Sequence, residues 1–591
     1  MNRIDIIQTI GREYLTSNIE NSEFSYAQVL ERTLSGHYKL DIRFYDPERK
    51  LAVLIETKTR FKKSDEGQLF DYLALEREYA ISDKIIAILA NTANDRIKVW
   101  KCLPDNDPEL LDDTKLKSIS EYASYFKRHN INDRTAVLEN TATLNKKLHD
   151  NGIPENLRSQ FVGTCLLALK NDLVYTNQMS TFQIIAGIKE ILGSLLRDSM
   201  DRAIKLAVLQ EKVLENQYVR EIESHNFYQL LNFIRDNILP YINDTSHEGQ
   251  DILSYFFTTF NKYVAREDKN QAFTPNHIAH FMCKVAGIYK NTQIFDPTCG
   301  SGTFLVQAMT MALSQCDTDE ERKAVKEEQI FGIEYDENVF GLATTNMLIH
   351  GDGNSNIKRA SCFTEKEWIK QSLLPSNQSL VKPRVVLMNP PYNASKKQVP
   401  KVFADTWGKS STDPSKGMYF VNYIADCIGS GRLVTLLPMA CAITTRGVIS
   451  DLKVKMLEKH TLDAVFSFPA DMFYPGASAV ACCMVFDLGK PHTLDKKTFF
   501  GYFKEDGFEK RKGIGRVDVR NRWDEIEADW LDMYEHRATK AGKCVTKHVT
   551  ANDEWCAEAY METDYSTLCD ADFISNMKDY AAYLVQNERR E

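Results

Sequence analysis

The residues best suited to chemistry in this sequence are Asn389, Pro390, Pro391 and Tyr392. They follow an apolar run at 385–388 that predicts a buried strand, so the two prolines place a rigid loop at its end. The exocyclic amine of adenine is a poor nucleophile because its lone pair is delocalised into the ring. The Asn389 side-chain carbonyl and the Pro390 backbone carbonyl can accept its two hydrogens, which favours the pyramidal nitrogen that attacks a methyl group. Tyr392 offers a stacking face to a flipped base; the alternative is a proline pair that only ends a strand.

A glycine loop at residues 295–304 predicts a cofactor site. It follows a strand pattern, leads into a helical one and contains Gly300 and Gly302, which allow a sharp turn and close approach of a ligand. The next strand pattern ends at Glu334, where an open α/β fold hydrogen-bonds ribose hydroxyls. No Lys-Ser/Thr pair follows the glycines, which argues against a phosphate-binding P-loop. The alternative is a plain glycine turn followed by a solvated acid.

Two carboxylates and an amine converge on a predicted β-hairpin near the start of the chain. The strand patterns at 38–45 and 51–58 pair symmetrically if paired residue numbers sum to 97, which places Asp41 opposite Glu56. Like charges about 5 Å apart are destabilising unless a cation lies between them. The two acids and the Thr57 backbone carbonyl would hold Mg²⁺, and Lys58 would position the water that attacks a phosphodiester. A charged hairpin without a metal is the alternative.

The elements around these motifs divide the chain into four stretches. Residues 1–135 mix helices and strands, and residues 136–265 predict a helical connector with almost no strand signal. Residues 266–500 alternate apolar runs with helices, which predicts an α/β domain with a Rossmann-like, mostly parallel sheet. Residues 501–591 are predicted to be mostly helical, without a sheet of their own. The clearest predicted strands lie at 51–55, 84–89, 293–295, 329–333, 385–388, 432–437 and 481–486.

The composition is ordinary for a soluble globular protein, with 43% hydrophobic and 26% charged residues. No run of 18 apolar residues predicts a membrane span and the first residues lack a signal-peptide pattern, so we expect a cytoplasmic protein without membrane contact. The 13 cysteines form no CxxC pair, which favours reduced thiols. A net charge of −9 argues against phosphate binding by the entire surface, so a basic surface for nucleic acid must be local or supplied by a partner.

From about residue 150 to 520 the sequence resembles the modification subunits of type I restriction-modification systems and their relatives, the γ-class adenine methyltransferases. The glycine loop, the Asn-Pro-Pro-Tyr motif and a Thr-Pro pair at Thr274 and Pro275 carry this resemblance. It implies S-adenosylmethionine as cofactor and adenine N6 in double-stranded DNA as target. By the same resemblance, Thr274 and Pro275 border the methionine moiety, and Asp296 and Pro297 contact the cofactor near the loop.

Two further positions follow from the resemblance alone. Phe473 matches the aromatic residue expected on the face of the flipped adenine opposite Tyr392. The family's acid near the cofactor adenine has no clear counterpart, because the corresponding residues 360–363 read Ala-Ser-Cys-Phe. Phe363 is therefore the candidate contact there, and Asp352 is the alternative.

The N-terminal hairpin resembles the Asp…Glu-x-Lys nuclease core of type I restriction subunits. Gln68 and Tyr72, four residues apart on a predicted helix, match the Gln-x-x-x-Tyr element of one branch of these nucleases, and Glu31 is a candidate auxiliary ligand. The order of nuclease, helical connector and methyltransferase resembles the combined restriction-modification subunits of type IIB systems. A catalytically inactive nuclease fold kept for DNA binding or assembly is the alternative.

The resemblance also predicts a partner. Residues 501–591 are too few for a target-recognition domain in addition to their helices, so we expect a separate DNA-specificity subunit and a hetero-oligomer. Glu554, Trp555 and the helix after Asp572 are the predicted docking surface, against the alternative of a packed terminal helix. Other open interpretations are a modification-only enzyme, an assembly subunit whose sites merely bind, and methylation of a protein glutamine amide.

Overall fold

The structure is a computed structural model that divides into two units, residues 1–133 and residues 134–591. Among the described helices, none has the length and apolar character needed to cross a membrane. The structure describes residues 3–18, 40–47, 50–79, 84–94, 96–102, 108–111, 113, 115–126, 134–197, 199–242, 274–351, 356–373, 383–474, 479–511, 515–565 and 569–588.

The first unit is a six-stranded sheet in the order β1-β2-β3-β4-β5-β6. Alternate residues of β3 pack on opposite faces: Val53 and Ile55 belong to one apolar core, Ala52 and Leu54 to the other. The pairing of β2 with β3 joins residues whose numbers sum to 97, so the predicted hairpin register is confirmed over β2. The strands are β1 Leu15–Asn18, β2 Ile42–Asp46, β3 Leu51–Lys58, β4 Lys84–Asn91, β5 Ile97–Cys102 and β6 Glu109–Leu111. The helices are Arg3–Ile10, Lys63–Tyr79 and Ile119–Ser124, with a 3₁₀ turn at Arg12–Tyr14.

The second unit begins with helices that share one apolar core and continue the chain to residue 242. Ser180 starts one of them with a capping box, in which its hydroxyl and the Gln183 side chain bond each other's backbone N–H groups. The helices are Arg134–Asp150, Glu155–Lys170, Thr181–Leu195, Arg202–Leu206, Gln217–Arg220, Ser224–Asn237 and Leu239–Ile242, with a π-helical stretch at Ala207–Leu214.

The rest of the second unit is built on a nine-stranded mixed sheet in the order β17-β14-β12-β13-β11-β10-β7-β8-β9. Strands β11, β10, β7, β8 and β9 run parallel to one another, so their carboxyl ends share one edge, and all the predicted strands of this region are present. The strands are β7 Gln293–Asp296, β8 Ile330–Glu334, β9 Ile357–Arg359, β10 Arg384–Met388, β11 Gly431–Pro438, β12 Thr461–Ser467, β13 Ala481–Leu488, β14 Lys497–Tyr502 and β17 Cys544–His548.

Helices cover both faces of this sheet. Successive strand residues point to opposite faces, so Ile294 and Phe295 belong to different apolar cores. A small hairpin, β15 Glu509–Arg511 and β16 Gly515–Val517, stands apart from the sheet. The helices are Asn276–Ala286, Thr303–Leu313, Asp319–Glu328, Glu337–Ile349, Lys366–Leu373, Lys401–Ala404, Met418–Ile428, Met439–Ile443, Gly447–Lys459, Trp523–Glu535 and Asp570–Glu588, with 3₁₀ turns at Asp405–Trp407 and Ala557–Ala559.

The predictions for residues 501–591 were wrong in two respects. β15 and β16 form a two-stranded sheet within the region, and β17 pairs with β14 and extends the main sheet. Trp555 is completely buried, and its indole N–H donates to the Thr550 carbonyl, so Trp555 is a core residue and cannot dock a partner. The terminal helix Asp570–Glu588 is exposed over residues 570–585, so the alternative of a packed terminal helix does not hold within the described part of this chain, and docking of a partner by this helix stays a prediction.

Candidate active sites

One cavity of about 460 Å³ lies at the carboxyl-end edge of the parallel strands of the second unit. It receives the loops that follow β7, β8, β9 and β10, which is where open α/β sheets hold ligands. The predicted site residues that line it are Thr274, Asp296, Pro297, Gly300, Glu334, Asn389, Pro390, Pro391 and Tyr392.

Glu334 connects the glycine loop to the end of β8. Its carboxylate accepts from the Gly300 backbone N–H at 2.9 Å and from the Asp336 backbone N–H at 2.8 Å. Burial raises the pKa of Glu334 to about 7, and burial also raises the pKa of Asp296 well above its ordinary value. Gly300 has φ +56°, and a Cβ placed there would meet no atom within 4 Å. The positive φ at this position favours glycine, and the space beside its Cα is open.

The Asn389 side chain is oriented by the Thr-Pro motif. Its amide nitrogen donates to the Thr274 hydroxyl at 3.1 Å, a contact between residues 115 positions apart. The nitrogen is thus the atom of the Asn389 amide that is bonded to Thr274, and the carbonyl oxygen is on the other side of the amide carbon. Behind the loop, Gly417 has φ +93°, and a Cβ there would lie 2.9 Å from the Pro390 ring, so the turn at Gly417 packs directly against this proline.

Tyr392 and Phe473 lie side by side, with ring centroids 6.4 Å apart and planes at 65°. Both are buried, and Phe473 does not line the cavity. Burial raises the pKa of Tyr392 well above its ordinary value, and its hydroxyl has no hydrogen-bond partner among the described residues. The two rings are tilted, so stacking on both faces of one base requires one ring to rotate.

Three residues predicted to bind the cofactor lie outside the cavity wall. Phe363 packs against Tyr423 and the neighbouring rings of residues 419 and 420, and its contact with the cofactor stays a prediction. Pro275 precedes the first residue of the helix Asn276–Ala286. Gly302, at φ +82°, starts the helix Thr303–Leu313, where a Cβ would meet Met347 at 3.8 Å.

Sequence reasoning missed several wall residues, among them Ser361, Cys362, Lys397, Gln398 and Phe420. Ser361 and Cys362 follow β9, so the rule that ligands lie at the carboxyl ends of parallel strands was the available signal. Phe420 comes from the helix Met418–Ile428 and had no such signal. Asp352 lies outside the described residues.

The N-terminal constellation forms one hydrogen-bonded row in the first unit. Lys58 donates to Glu56 at 2.7 Å and to the Gln68 side-chain oxygen at 3.0 Å, and the Gln68 amide donates to the Tyr72 hydroxyl at 3.2 Å. Asp41 accepts from the Thr57 backbone N–H at 2.7 Å and from its hydroxyl at 2.5 Å. The structure thus brings Lys58, Glu56, Gln68 and Tyr72 together in one row.

Glu56 is the acid of this row that has a carboxylate oxygen able to bind a further ligand. Burial raises the pKa of Glu56, the nearby Asp41 charge adds to that effect, and one carboxylate oxygen is buried without a hydrogen-bond partner among the described residues. No group of three or more His, Cys, Asp or Glu side chains fit to hold a metal occurs in the described ranges. The predicted set has only two side-chain acids, and Glu31 lies outside those ranges.

The sequence model of the N-6 DNA methylase family matches residues 248–584, more than half of the chain, so the chain belongs to that family. It is similar to the type II restriction enzyme and methyltransferase RM.BcgI of Heyndrickxia coagulans, with 30% identity over 275 residues, 46% of this chain and 40% of that protein. It is also similar to the type I restriction enzyme EcoEI methylase subunit of Escherichia coli, with 24% identity over 221 residues, 37% of this chain and 42% of that protein.

These matches cover less than half the length of the two curated relatives. The fold is similar to the crystal structure of a modification subunit of a type I restriction enzyme from Vibrio vulnificus, with a TM-score of 0.50 at 16% identity. That similarity covers 71% of this chain and 92% of the other.

Proposed function

We propose that this chain methylates adenine N6 in duplex DNA with S-adenosylmethionine as the methyl donor. The observation that carries the proposal is the single cavity in which Thr274, the glycine loop, Glu334 and Asn389–Tyr392 meet. Membership of the N-6 DNA methylase family supports the same activity. The family assignment also favours DNA over a protein glutamine amide as the methyl acceptor.

The cavity residues fit this cofactor. The volume of about 460 Å³ lies within the roughly 300–1,000 Å³ of small-molecule sites. Glu334 ends β8, where a carboxylate can accept from ribose hydroxyls, and the space above Gly300 would be filled by a Cβ. Asp296 and Thr274 also line the cavity. When bound, the cofactor supplies an electrophilic methyl group on a sulfonium.

The chain's own residues would then position the adenine amine. The Asn389 carbonyl would accept one N6 hydrogen, and the Pro390 backbone carbonyl the other, which favours the nucleophilic, pyramidal nitrogen. The bond from Asn389 to Thr274 fixes the amide in the required orientation before the base arrives. The Tyr392 ring would stack on the flipped base, with Phe473 beside it.

The test is transfer of labelled methyl groups to long duplex DNA taken from a host that lacks adenine methylation. DNA hydrolysed to nucleosides should contain labelled N6-methyladenine. Label found only in protein would instead support glutamine methylation. Absence of transfer to DNA, with the specificity subunit also supplied, would contradict the proposal.

For the first unit, we propose a Mg²⁺-dependent nuclease that cleaves unmethylated DNA. Its support is the row that joins Lys58, Glu56, Gln68 and Tyr72 and leaves one buried Glu56 oxygen without a partner among the described residues. Asp41, Glu56 and the Thr57 carbonyl would hold the metal, and Lys58 would orient water. The alternative is a modification-only enzyme with an inactive nuclease-like unit. Nicking of unmethylated DNA that requires Mg²⁺ or Mn²⁺ distinguishes the two.

We further propose that the terminal helix docks a separate DNA-specificity subunit. Seven large apolar residues of the helix Asp570–Glu588 are exposed, Ile574, Tyr583 and Val585 among them. The other four follow one another at spacings of four, three and four residues, the seam of a helix that packs against another helix. They are Phe573, Met577, Tyr580 and Leu584. An exposed apolar seam of this kind marks a protein interface.

Co-expression with the specificity subunit tests this docking surface. Met577→Glu should abolish co-purification, because it places a charge in the seam. Ala582→Glu adds the same charge on the other side of the helix and should leave co-purification intact. Equal binding by both variants, or site-specific DNA binding by the chain alone at about 150 mM salt, would contradict the proposal.

A further inference from the structure

A row of polar contacts centred on Asp506 lies beside the candidate methyltransferase site. Asp506 is 1% exposed and accepts from both terminal nitrogens of Arg516, each at 2.6 Å. It also accepts from His277 at 3.1 Å, and the His277 ring stacks on Phe508 with centroids 3.8 Å apart. Arg516 further donates to the Phe508 carbonyl at 3.0 Å. A planar guanidinium that binds a carboxylate in this two-pronged way has one fixed orientation.

The His277 end of the row leads to the candidate catalytic loop. His277 is in the first turn of the helix Asn276–Ala286, three residues after Thr274. Thr274 accepts from the Asn389 amide. Movement of His277 would therefore displace the residue that orients Asn389.

The Arg516 end leads to the segment 471–474, which carries Phe473. The Arg516 Nε lies 3.3 Å from one Asp471 oxygen, and the Lys510 amine lies 3.2 Å from the other. Lys510 also lies over the Tyr474 ring, 5.1 Å from its centroid. Both cations belong to the β15–β16 hairpin, so this hairpin holds the segment at its first and last residues.

We propose that Arg516 is a positioning residue that fixes the segment 471–474, and with it Phe473, relative to the Thr-Pro motif. The contacts form a closed circuit around the base site, because Phe473 lies against Tyr392 and Asn389 is bonded to Thr274. Arg516 joins two parts of this set of contacts: its Nε lies against Asp471 of the segment, and its two terminal nitrogens bind Asp506. The inference rests on the proposed adenine methylation, for which the circuit holds the slot that receives the flipped base.

The test compares Arg516→Gln, Arg516→Lys and Asp471→Asn in the full chain, with Arg511→Gln as the matched control. Arg511 is on the same hairpin, is exposed and forms an ion pair with half-buried Glu509. The first readout is amide hydrogen exchange of the peptide that contains residues 471–474. The second readout consists of three separately measured constants: kcat, KM for unmethylated duplex DNA and the Kd of S-adenosylmethionine.

Exchange in this peptide should accelerate in Arg516→Gln and Asp471→Asn and match the native chain in Arg511→Gln. The kcat/KM for DNA should fall at least about tenfold in the same two variants, with an unchanged cofactor Kd and partial recovery in Arg516→Lys. If Arg516→Gln fails to fold, Asp471→Asn decides, because it leaves the bonds between Arg516, Asp506 and His277 in place.

Native exchange in both variants, or a loss confined to cofactor affinity, would overturn the inference. The exchange readout needs no activity. A native chain that transfers no methyl group would therefore refute the proposed function separately from the role of Arg516.

Discussion

Glu334 should make the stability of this protein depend on pH in an unusual direction. Burial raises its pKa from 4.5 to about 7 in the folded chain. Between those values the unfolded chain has released the proton that the folded chain still holds, so the free energy of unfolding falls as pH rises through this range. At 1.36 kcal/mol per pKa unit, an interval of roughly 2.5 units corresponds to ~3 kcal/mol.

Glu334→Gln isolates this effect because glutamine does not titrate. The amide of the variant has one acceptor oxygen, whereas the two carboxylate oxygens accept from the backbone N–H groups of Gly300 and Asp336. The lost hydrogen bond should lower the free energy of unfolding by about 1–3 kcal/mol at every pH. The quantity to measure is therefore the change with pH in the difference between variant and native chain. From pH 4.5 to pH 8 that difference should shift by ~3 kcal/mol in favour of the variant.

Urea unfolding of the cofactor-free chain at several pH values, followed by tryptophan fluorescence, measures this shift. Five of the six tryptophans are in the second unit, so the signal reports mainly on the unit that contains Glu334. Glu320→Gln removes an exposed acid, and its difference from the native chain should stay flat. A flat difference for Glu334→Gln as well would refute the reasoning.

The same titration should appear in cofactor binding. If the ionised Glu334 accepts from ribose hydroxyls, the affinity of the native chain for S-adenosylmethionine should rise about tenfold from pH 6 to pH 8, following the ionised fraction. Glu334→Gln should bind more weakly and lose this dependence. Isothermal titration at the two pH values would contradict the assignment if the native affinity did not change.

Three further predictions concern the candidate loops. Asn389→Ala should slow methyl transfer at least ~10²-fold while S-adenosylmethionine still binds; near-native transfer of label would exclude Asn389 as the catalytic acceptor. Tyr392→Phe should keep the native methylation rate and raise the free energy of unfolding by up to ~1–3 kcal/mol. The reason is that the lost hydroxyl is buried without a partner among the described residues. A large fall in the methylation rate would instead assign the hydroxyl a role in catalysis. Glu56→Ala and Lys58→Ala should each abolish Mg²⁺-dependent DNA cleavage and leave methylation unchanged, and a parallel loss of both activities in assays of the same preparation would contradict two separate sites.

The sequence predicted those features that depend on local pattern. Alternation and a symmetric turn were enough for the register between β2 and β3, which brings Glu56 and Lys58 together. Parallel strands place their following loops at one edge of the sheet, so the sequence pattern alone predicts that the loops at Gly300, Glu334 and Asn389 lie close together, and all three line one cavity.

Long-range contacts and edge strands could not be predicted in this way. β17 is an edge strand with only two buried residues, so its apolar pattern is too short to distinguish it from a loop. The bond between Asn389 and Thr274, and the one between His277 and Asp506, join residues more than 100 positions apart. Such contacts depend on the order of strands in the sheet, which the sequence of a single chain does not reveal.

The buried acids of this protein fall into two groups with opposite electrostatics. Asp463 and Asp506 receive hydrogen bonds from cationic side chains that hold the pKa of each carboxyl far below its ordinary value, so these acids stabilise the folded chain above the acid range. Asp296, Glu334 and Glu56 have pKa values that burial raises, which costs stability at neutral pH. A fold retains such a cost where a ligand supplies the missing hydrogen bonds or charge, and all three acids lie in the two candidate sites. The direction of the shift does not identify a site acid by itself, because burial also raises the pKa of Asp413, which accepts from Ser415 and Gly417 and does not line the cavity. A raised pKa therefore points to a ligand only where the surrounding residues also form a site.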